Sequence, residues 1–354
     1  MTGDVLDEAY DRLHRWGPEF GGENGLSNHA PMAVEVLTRH GHDDQVGSWL
    51  DRYVTRLETL PAEDDPITED NWAAAMGQRA RVGDWVAFFR RAVREAPWQA
   101  VMAGWWPRLL PAIASGATHG LIRTGHAVRT VLAGDTSPSA VDEVAHALAY
   151  WAARAIFVPG LAAPAGELDA AAALAGLPRL PEQNGMIRER FARLGDFPAW
   201  TPALTTLRPP ATPQDVPAAL DGLVEAGVRQ YATHGHGSPV LLVHVATAPN
   251  AMGHLLPALP VALWTPSFGA SWAACAAITV AYAPAEPRPA EPRPAPAAPA
   301  PADPAELMAR AAEHGDEHVI KLTDTVLDVY DRTGGDPAVI TAATRCAALI
   351  QPPQ

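Results

Sequence analysis

A single lysine, Lys321, is the first candidate for chemistry in this sequence. Of the 26 lysine and arginine side chains, only this one is a lysine. A guanidinium stays charged and only donates hydrogen bonds, whereas a buried amine can lose its proton and act as a base, a nucleophile or a ligand. Either a coding bias toward arginine left Lys321 by chance, or Lys321 has a role that arginine cannot fill.

Four of the 13 histidines stand out because they lie in apolar or helix-forming surroundings. His29 lies in "SNHAPM", in the first turn of an apolar helix, and His119 lies in "ATHGLIRTGHAVR". His244 is embedded in "VLLVHVAT", and His318 precedes Lys321 by one helical turn. A lone histidine of this kind is more often a hydrogen-bonded core residue than a ligand. Four of them with few nearby carboxylates favour a site for a borderline transition metal.

Two further candidates follow His119 on the same predicted helix. Arg123 and His126 lie four and seven residues after it and share its face. Arg123 could contact a phenolate or carboxylate of a substrate, or it could form a surface salt bridge. The turn "THGHGS" could bind a metal, although its glycines predict mobility. A last group lies beside polar residues and is predicted at the surface or at helix caps: His14, His40, His42, His146 and His314.

Composition restricts the classes of partner. The formal net charge of −14 argues against nucleic acid and against anionic membrane surfaces. Cys275 and Cys346 lie in apolar helical contexts, which fits a reducing compartment better than a disulfide scaffold. The N-terminus is acidic and amphipathic, unlike a signal peptide, and no apolar run reaches the length of a membrane span. These features predict a cytoplasmic protein with a small-molecule partner.

Helical periodicity dominates the chain, so we predict a mainly α fold with a single large helical domain over residues 1–354. Pro107 and Pro111 are expected to kink or interrupt a long helix. The segment "SAVDEVAHALAYWAARAIF" is apolar on all sides and is predicted to be buried. The best strand candidate is "SPVLLVHVAT", although it is short and its pattern is ambiguous.

Residues 283–304, "APAEPRPAEPRPAPAAPAPADP", differ from the rest in having almost no bulky side chain. Such a segment cannot pack, and we predict a Pro/Ala-rich surface loop within the domain. Asp303 and Pro304 are expected to begin the next helix as its cap and first residue. The C-terminal helical piece is small for independent stability and is expected to dock onto the main body.

The motifs "SNHAPM", "HGLIRTGHAVR", "VLLVHVAT" and "HVIKLTD", in this order, resemble the questin oxidase-like family. The resemblance extends over nearly the whole chain apart from the proline-rich segment. The family includes fungal enzymes that oxidatively open anthraquinone rings in polyketide pathways. Some members are described as NADPH-dependent Baeyer–Villiger-type oxidases. At least one is a non-haem iron dioxygenase whose metal is held by four histidines and a carboxylated lysine.

The resemblance implies a specific ligand set here. The metal ligands would be His29, His119, His244, His318 and a carboxylated Lys321. After the first helix ligand, fungal members tend to carry a second histidine and then a tyrosine on the same face. Arg123 and His126 stand at those positions in this chain, which makes them the candidate catalytic residues of a changed pocket.

Carboxylation gives a physical reason to keep one lysine. Burial favours the neutral amine, which adds carbon dioxide to give a carbamate, and metal binding stabilises this anionic oxygen ligand. Neutral imidazoles with one anionic oxygen suit Fe(II). The leading interpretation is therefore an iron-dependent oxygenase that uses O2 to cleave or oxidise a ring of an anthraquinone-like aromatic polyketide.

Two other functions remain open at this point, and so does the oligomeric state. One is a metal-free oxidase of the same substrates that uses NADPH, although no glycine-rich dinucleotide fingerprint follows a strand. The other is a non-catalytic helical binding protein. Hydrolysis at a carbamate-bridged zinc pair is disfavoured, because such sites recruit an aspartate and no clear acidic partner is visible.

Overall fold

The computed structural model describes residues 2–20, 26–288 and 303–353. Contacts among them divide the chain into two compact units. The first unit comprises Met1–Phe157 and His254–Leu263, and the second comprises Val158–Gly253 and Trp264–Gln354. Both units consist mainly of helices, which confirms the predicted fold class. Most of the predicted loop 283–304 lies outside the described residues, and its place within a single domain stays a prediction.

The first unit carries most of its chain in helices, joined by short 3₁₀ turns. Its elements in chain order are α1 (Thr2–Leu13), β1 (Trp16–Phe20), β2 (Leu26–Ser27), α2 (Ala30–Arg39), α3 (Asp43–Tyr53), β3 (Leu57–Thr59), α4 (Trp72–Ala75), α5 (Val82–Glu95), α6 (Trp98–Leu109), α7 (His119–Leu132) and α8 (Pro138–Ala153). As expected from the sequence, α6 contains Pro107, and the chain then breaks into a 3₁₀ turn that includes Pro111 before α7 begins.

A small antiparallel sheet connects the start of the first unit with the loop after α3. The strand order is β2-β1-β3, with Phe20 opposite Leu26 on one side and opposite Leu57 on the other. These strands hold the chain immediately before α2, whose N-terminus carries His29. The sequence did not indicate them, because strands of two to five residues offer too few positions for a pattern.

The core of the first unit forms around α7 and α8, which pack on each other and on α2 and α5. Helix α8 is buried over nearly its whole length, as its apolar sequence predicted. It nevertheless contains buried polar side chains, among them Glu143 and His146, which are 1% and 2% exposed. Buried polar groups need partners, so the core of this unit contains a polar network as well as apolar packing.

The second unit is also helical. Its elements are α9 (Ala170–Ala175), α10 (Ile187–Leu194), α11 (Trp200–Leu204), α12 (Val216–His234), α13 (Pro239–Leu242), α14 (His244–Leu255, which ends in the first unit), α15 (Trp264–Tyr282), α16 (Pro304–His314), α17 (Glu317–Arg332) and α18 (Ile340–Leu349). The predicted strand at 238–247 was wrong, because these residues form α13 and the start of α14. A short apolar run does not distinguish a strand from a buried helix.

Helix α12 is central to the second unit and packs against α9, α15, α17 and α18. The C-terminal helices therefore dock within this unit, as their small size suggested. Asp303 caps α16 by accepting a hydrogen bond from the Glu306 amide at 2.7 Å, with Pro304 in the first position as predicted. Asp316 caps α17 by accepting from the amides of His318 and Val319 at 2.9 and 3.2 Å.

One helical stretch among the described residues, Val261–Tyr282, is long and apolar enough to cross a membrane by length and composition. The expectation that no apolar run reaches this length was therefore wrong. Of the most apolar 18-residue part of this stretch, 56% is buried inside the protein. The core helix of a soluble protein can be equally long and apolar. The stretch is therefore weak evidence for a membrane span.

Candidate functional site

Two of the predicted ligands lie together in the first unit. His29 precedes α2 as its N-terminal cap residue, and His119 is the first residue of α7. Their rings meet edge to face, with centroids 4.4 Å apart and planes at 89°. Both side chains are buried, at 5% and 6% exposure. The packing of α2 against α7 thus brings together two imidazoles that are 90 positions apart in the sequence.

Backbone and hydroxyl groups orient these two rings. His119 Nδ1 hydrogen-bonds to the carbonyl oxygen of Gly116, and because a carbonyl only accepts, this nitrogen carries the proton. Nε2 of a neutral His119 is then the unprotonated nitrogen, as a metal ligand requires. The Tyr53 hydroxyl accepts the backbone N–H of His29 at 2.9 Å and lies 3.5 Å from its Nδ1.

The chain adopts an unusual conformation immediately before His119. Gly116, Ala117 and Thr118 have φ values of 53°, 59° and 68°, so three consecutive residues are left-handed. For the two non-glycine residues this costs on the order of 1–3 kcal/mol each and requires compensation from the surroundings. The turn directs the Gly116 carbonyl oxygen back to His119 Nδ1. The strained backbone therefore forms the hydrogen bond that orients the ring of a candidate ligand.

The second unit holds the other predicted ligands. His244 is the first residue of α14 and is fully buried, and its ring centroid lies 6.1 Å from that of His318 on α17. His244 Nδ1 lies 3.0 Å from the carbonyl oxygen of Leu241, which fixes the same tautomer as in His119. Burial, reinforced by Lys321 and His318, holds the pKa of His244 well below its usual value, so this ring is neutral.

Lys321 is buried on α17, with 1% of its surface exposed. Its Nζ has no hydrogen-bond partner among the described residues. Burial lowers the pKa of Lys321 to about 8, although the carboxylates of Glu317 and Asp316 act in the opposite direction. The neutral amine is therefore far more abundant here than in an exposed lysine, as the carboxylation hypothesis requires.

Two acidic side chains lie close to His318. Asp316 Oδ1 is 3.5 Å and Glu317 Oε1 is 3.9 Å from His318 Nδ1. The expectation of no acidic partner was therefore wrong, since the cap of α17 and its first residue supply two carboxylates. Asp316 is already engaged by two backbone amides, which gives it a clear structural role.

Arg123, a candidate catalytic residue, is buried and paired. Its Nε and Nη2 donate to Oε1 and Oε2 of Glu143 at 2.6 and 2.8 Å, with both side chains less than 5% exposed. The alternative of a surface salt bridge was thus wrong, because the pair lies in the core. Nη1 has no hydrogen-bond partner among the described residues, so one donor of the guanidinium is not used by Glu143.

His126, the other candidate catalytic residue, belongs to a second buried pair. Its Nδ1 lies 2.8 Å from Oε2 of Glu35. Arg129 donates to both oxygens of the same carboxylate, from Nε to Oε1 and from Nη2 to Oε2. Burial alone would raise the pKa of Glu35, but Arg129 and His126 outweigh burial and hold it at about 2. Since Glu35 is on α2 and His126 on α7, this pair joins the two helices that carry His29 and His119.

Sequence reasoning missed the polar network behind Arg123. His14 and His146 were predicted at the surface or at caps, but His146 is buried and its ring stacks on that of His14 with centroids 4.3 Å apart. His14 Nε2 lies 3.1 Å from Oε2 of Glu143. The only available signal was the apolar surroundings of His146 in its helix, which the neighbouring charged residues obscured.

Each unit thus provides groups that fit a metal ion. Carbonyl-fixed tautomers leave unprotonated Nε2 atoms on His119 and His244. The buried, unpartnered amine of Lys321 needs an interaction that the described residues do not supply. Imidazoles suit iron, copper, nickel and zinc, so these donors restrict the ion to the borderline transition metals without selecting one.

Residues 28–163 match the family model described as Questin oxidase-like. The matched segment includes His29, His119, Arg123 and His126, and it ends before the candidate ligands of the second unit. The resemblance found in the sequence is confirmed over this segment, which is shorter than the motifs suggested. The description indicates an oxidoreductase with a small-molecule substrate. No curated protein matches the chain.

Proposed function

We propose that this chain, from its match to the Questin oxidase-like family, is a non-haem iron oxygenase that acts on a ring of an anthraquinone-like aromatic polyketide. The observation that carries the proposal is the buried amine of Lys321, which has no hydrogen-bond partner among the described residues. The proposed ligands are His29, His119, His244, His318 and Lys321. The proposed compartment is the cytoplasm, where the buried thiols of Cys275 and Cys346 stay reduced.

Carboxylation of Lys321 would supply the one anionic ligand. The neutral amine adds its lone pair to the carbon of CO2, one C–O π bond becomes a third lone pair on that oxygen, and nitrogen loses a proton. The product is a carbamate anion, formed without oxidant or reductant. Burial promotes the first step by favouring the neutral amine, and a bound cation would stabilise the product.

The histidines would enter the site uncharged. His119 and His244 each hydrogen-bond through Nδ1 to a backbone carbonyl, and the carbonyls of Gly116 and Leu241 therefore determine ring orientation and tautomer. When bound, the iron would supply activation of O2 and polarisation of an electron-rich aromatic ring. The protein would contribute the orientation of the ligands and the exclusion of water from them.

Arg123 and His126 are proposed to act next to the metal ligands. Glu143 fixes the plane of the Arg123 guanidinium through two donors, and Nη1 could then donate to an oxyanion of the substrate. His126 is held by Glu35 through Nδ1 and could move a proton at its other nitrogen. Both roles are proposals, supported by burial and by position on the helix of His119.

Metal analysis of protein purified without a polyhistidine tag tests this function. We expect stoichiometric iron in the wild type and its loss in His119→Ala, His244→Ala and Lys321→Met. His40→Asn, outside the proposed set, is the matched control and should retain iron. Isotopically labelled bicarbonate should yield a carbamate signal that is absent in Lys321→Met, and this chain has no other lysine side chain to confuse the assignment.

The remaining outcomes separate the two alternatives. Protein without metal that consumes NADPH in the presence of an aromatic substrate would support the metal-free oxidase. Protein with neither metal nor NADPH consumption would support a helical binding protein. Iron bound equally by the wild type and Lys321→Met would overturn the role of Lys321 while leaving an iron protein.

A further inference from the structure

A cluster of basic side chains surrounds the turn at the C-terminus of α12, within the second unit. The turn Gly235–Gly237 carries His236 and follows His234, the last residue of α12. Helix α18, which carries Arg345, packs against this turn and against α12. Two more arginines, Arg179 and Arg288, come from segments that lie far apart in the sequence.

Specific contacts bring these segments together. The backbone N–H of Arg288 donates to the Thr233 carbonyl at 2.9 Å. Arg179 Nε donates to the Pro284 carbonyl at 3.3 Å, and the Pro284 ring fills the space that a side chain on Gly237 would need. The basic groups therefore come from four parts of the chain and converge on one turn.

Within residues 2–20, 26–288 and 303–353, no acidic side chain neutralises this cluster. No carboxylate of the described residues forms an ion pair with Arg179, Arg288 or Arg345, although the whole chain has a net charge of −14. Most other buried or half-buried arginines do have such partners, as Arg123 has Glu143 and Arg81 has Asp84. Burial lowers the pKa of His236, and the positive charges of Arg288 and Arg345 lower it further.

Several nitrogen atoms in the cluster are shielded from water and have no hydrogen-bond partner in the described part of the chain. Among the described residues, none hydrogen-bonds to Nε or Nη1 of Arg345 or to Nδ1 of His236, and all three atoms are buried. A buried donor without an acceptor costs on the order of 1–3 kcal/mol, more when it is charged. Such atoms are expected to face a group that the polypeptide itself does not supply.

We propose that this cluster, Arg179, His234, His236, Arg288 and Arg345, binds the phosphate group of a small molecule. A metal ion does not fit, because three guanidinium groups would repel it. A tetrahedral dianion accepts hydrogen bonds in several directions at once, which suits donors that arrive from four chain segments, and arginine is well adapted to phosphate. The site shares no residue with the proposed metal ligands and does not depend on the proposed function.

Isothermal titration calorimetry of the full chain at constant ionic strength tests the site. The probes are inorganic phosphate, glycerol 3-phosphate as a phosphomonoester, and acetate as a carboxylate. We expect phosphate to bind, acetate to bind at least about tenfold more weakly, and Arg345→Gln to weaken phosphate binding at least about tenfold. Tighter binding of the ester would identify a phosphoryl group of a larger molecule as the ligand, and tighter binding of inorganic phosphate would identify free phosphate.

Matched variants keep the test decisive. Arg208→Gln removes the same charge from an exposed arginine paired with Glu167 and should bind phosphate as the wild type does. His236→Ala serves as the second site variant should Arg345→Gln fail to fold. The proposal is overturned by the absence of heat with both phosphate probes, by acetate binding as tightly as phosphate, or by site variants that bind like Arg208→Gln.

Discussion

The hydroxyl of Tyr150 hydrogen-bonds to the hydroxyl of Ser27, 123 positions away in the sequence. Ser27 lies two residues before His29, and a side chain added at Gly116, three residues before His119, would overlap the same Tyr150 hydroxyl. One buried tyrosine of α8 therefore lies against both segments that lead into the paired imidazoles of the first unit. Tyr150 has no obvious chemical role, and its position points to support of these two segments.

Substitution of Gly116 tests this support. Gly116→Ala should lower the free energy of unfolding by more than about 1 kcal/mol, because φ is 53° and the new methyl group meets the Tyr150 hydroxyl. In a Tyr150→Phe background the loss of stability caused by Gly116→Ala should be smaller, since the hydroxyl oxygen that overlaps the new methyl group is absent. Urea unfolding measures both values. Gly47→Ala, in the interior of α3 with open space, should instead be neutral or stabilising, and additive effects at Gly116 and Tyr150 would contradict the proposed contact.

The Arg123–Glu143 pair should be costly to break on one side. Glu143→Gln leaves the buried guanidinium without its counter-charge and should destabilise the protein by about 3–5 kcal/mol. The double variant Arg123→Met with Glu143→Leu should be more stable than Glu143→Gln alone, because no unpaired charge is left in the core. Chemical denaturation measures these differences. The control is Glu167→Gln, which removes the carboxylate of the exposed ion pair between Glu167 and Arg208. This change should alter stability by less than about 1 kcal/mol.

The buried Glu35 predicts how stability depends on acid. Its pKa is about 2 in the folded protein and near 4.5 without the fold, so its contribution is fully present above about pH 4.5 and is lost as pH falls toward about 2. The contribution is on the order of 3 kcal/mol. As pH falls from about 5 to 3, the free energy of unfolding of Glu35→Gln should therefore decrease less than that of the wild type. Urea unfolding at each pH measures this free energy. The exposed Glu8→Gln should follow the wild-type curve, and parallel curves for Glu35→Gln would refute the assignment.

The cap of α17 should matter for the helix that carries His318 and Lys321. Asp316→Ala removes the acceptor for two backbone amides and should cost about 0.5–2 kcal/mol of stability. Asp316→Asn keeps an acceptor oxygen and should stay within a few tenths of a kcal/mol of the wild type. Equal losses in the two variants, measured by thermal unfolding, would show that the charge near His318 matters more than the cap.

The burial of Lys321 is directly measurable, because no other side chain competes for an amine reagent. An acylating reagent should leave the peptide that contains Lys321 unmodified in the native protein and should modify it in denaturant. Mass spectrometry of the digested protein gives the modified fraction. Rapid modification under native conditions would show that the amine is accessible and would remove the basis of the proposed carboxylation.

Local patterns in the sequence were sufficient for much of the helical framework. Asp303 and Pro304 begin α16 as predicted, and Pro107 and Pro111 separate α6 from α7, because capping and helix breaking depend on residues within one turn. The burial of His244 and of Lys321 agrees with what the sequence around them predicted, whereas the role of Lys321 stays a prediction. The same local reasoning failed at 238–247, where an apolar run of strand-like composition forms helices.

The polar partners were decided only by the tertiary structure. Glu143 pairs with Arg123 across 20 positions, Glu35 with His126 across 91, and Ser27 with Tyr150 across 123. The left-handed turn at 116–118 has no signal in Ala117 or Thr118, since neither residue favours that conformation. Helix periodicity fixes which face of a helix is apolar, but the packing of α2, α7 and α8 determines which side chain each polar group meets. Residue types and their spacing thus predicted a candidate chemistry for this chain, whereas the orientation, pairing and protonation of those residues depend on contacts between helices that are distant in the sequence.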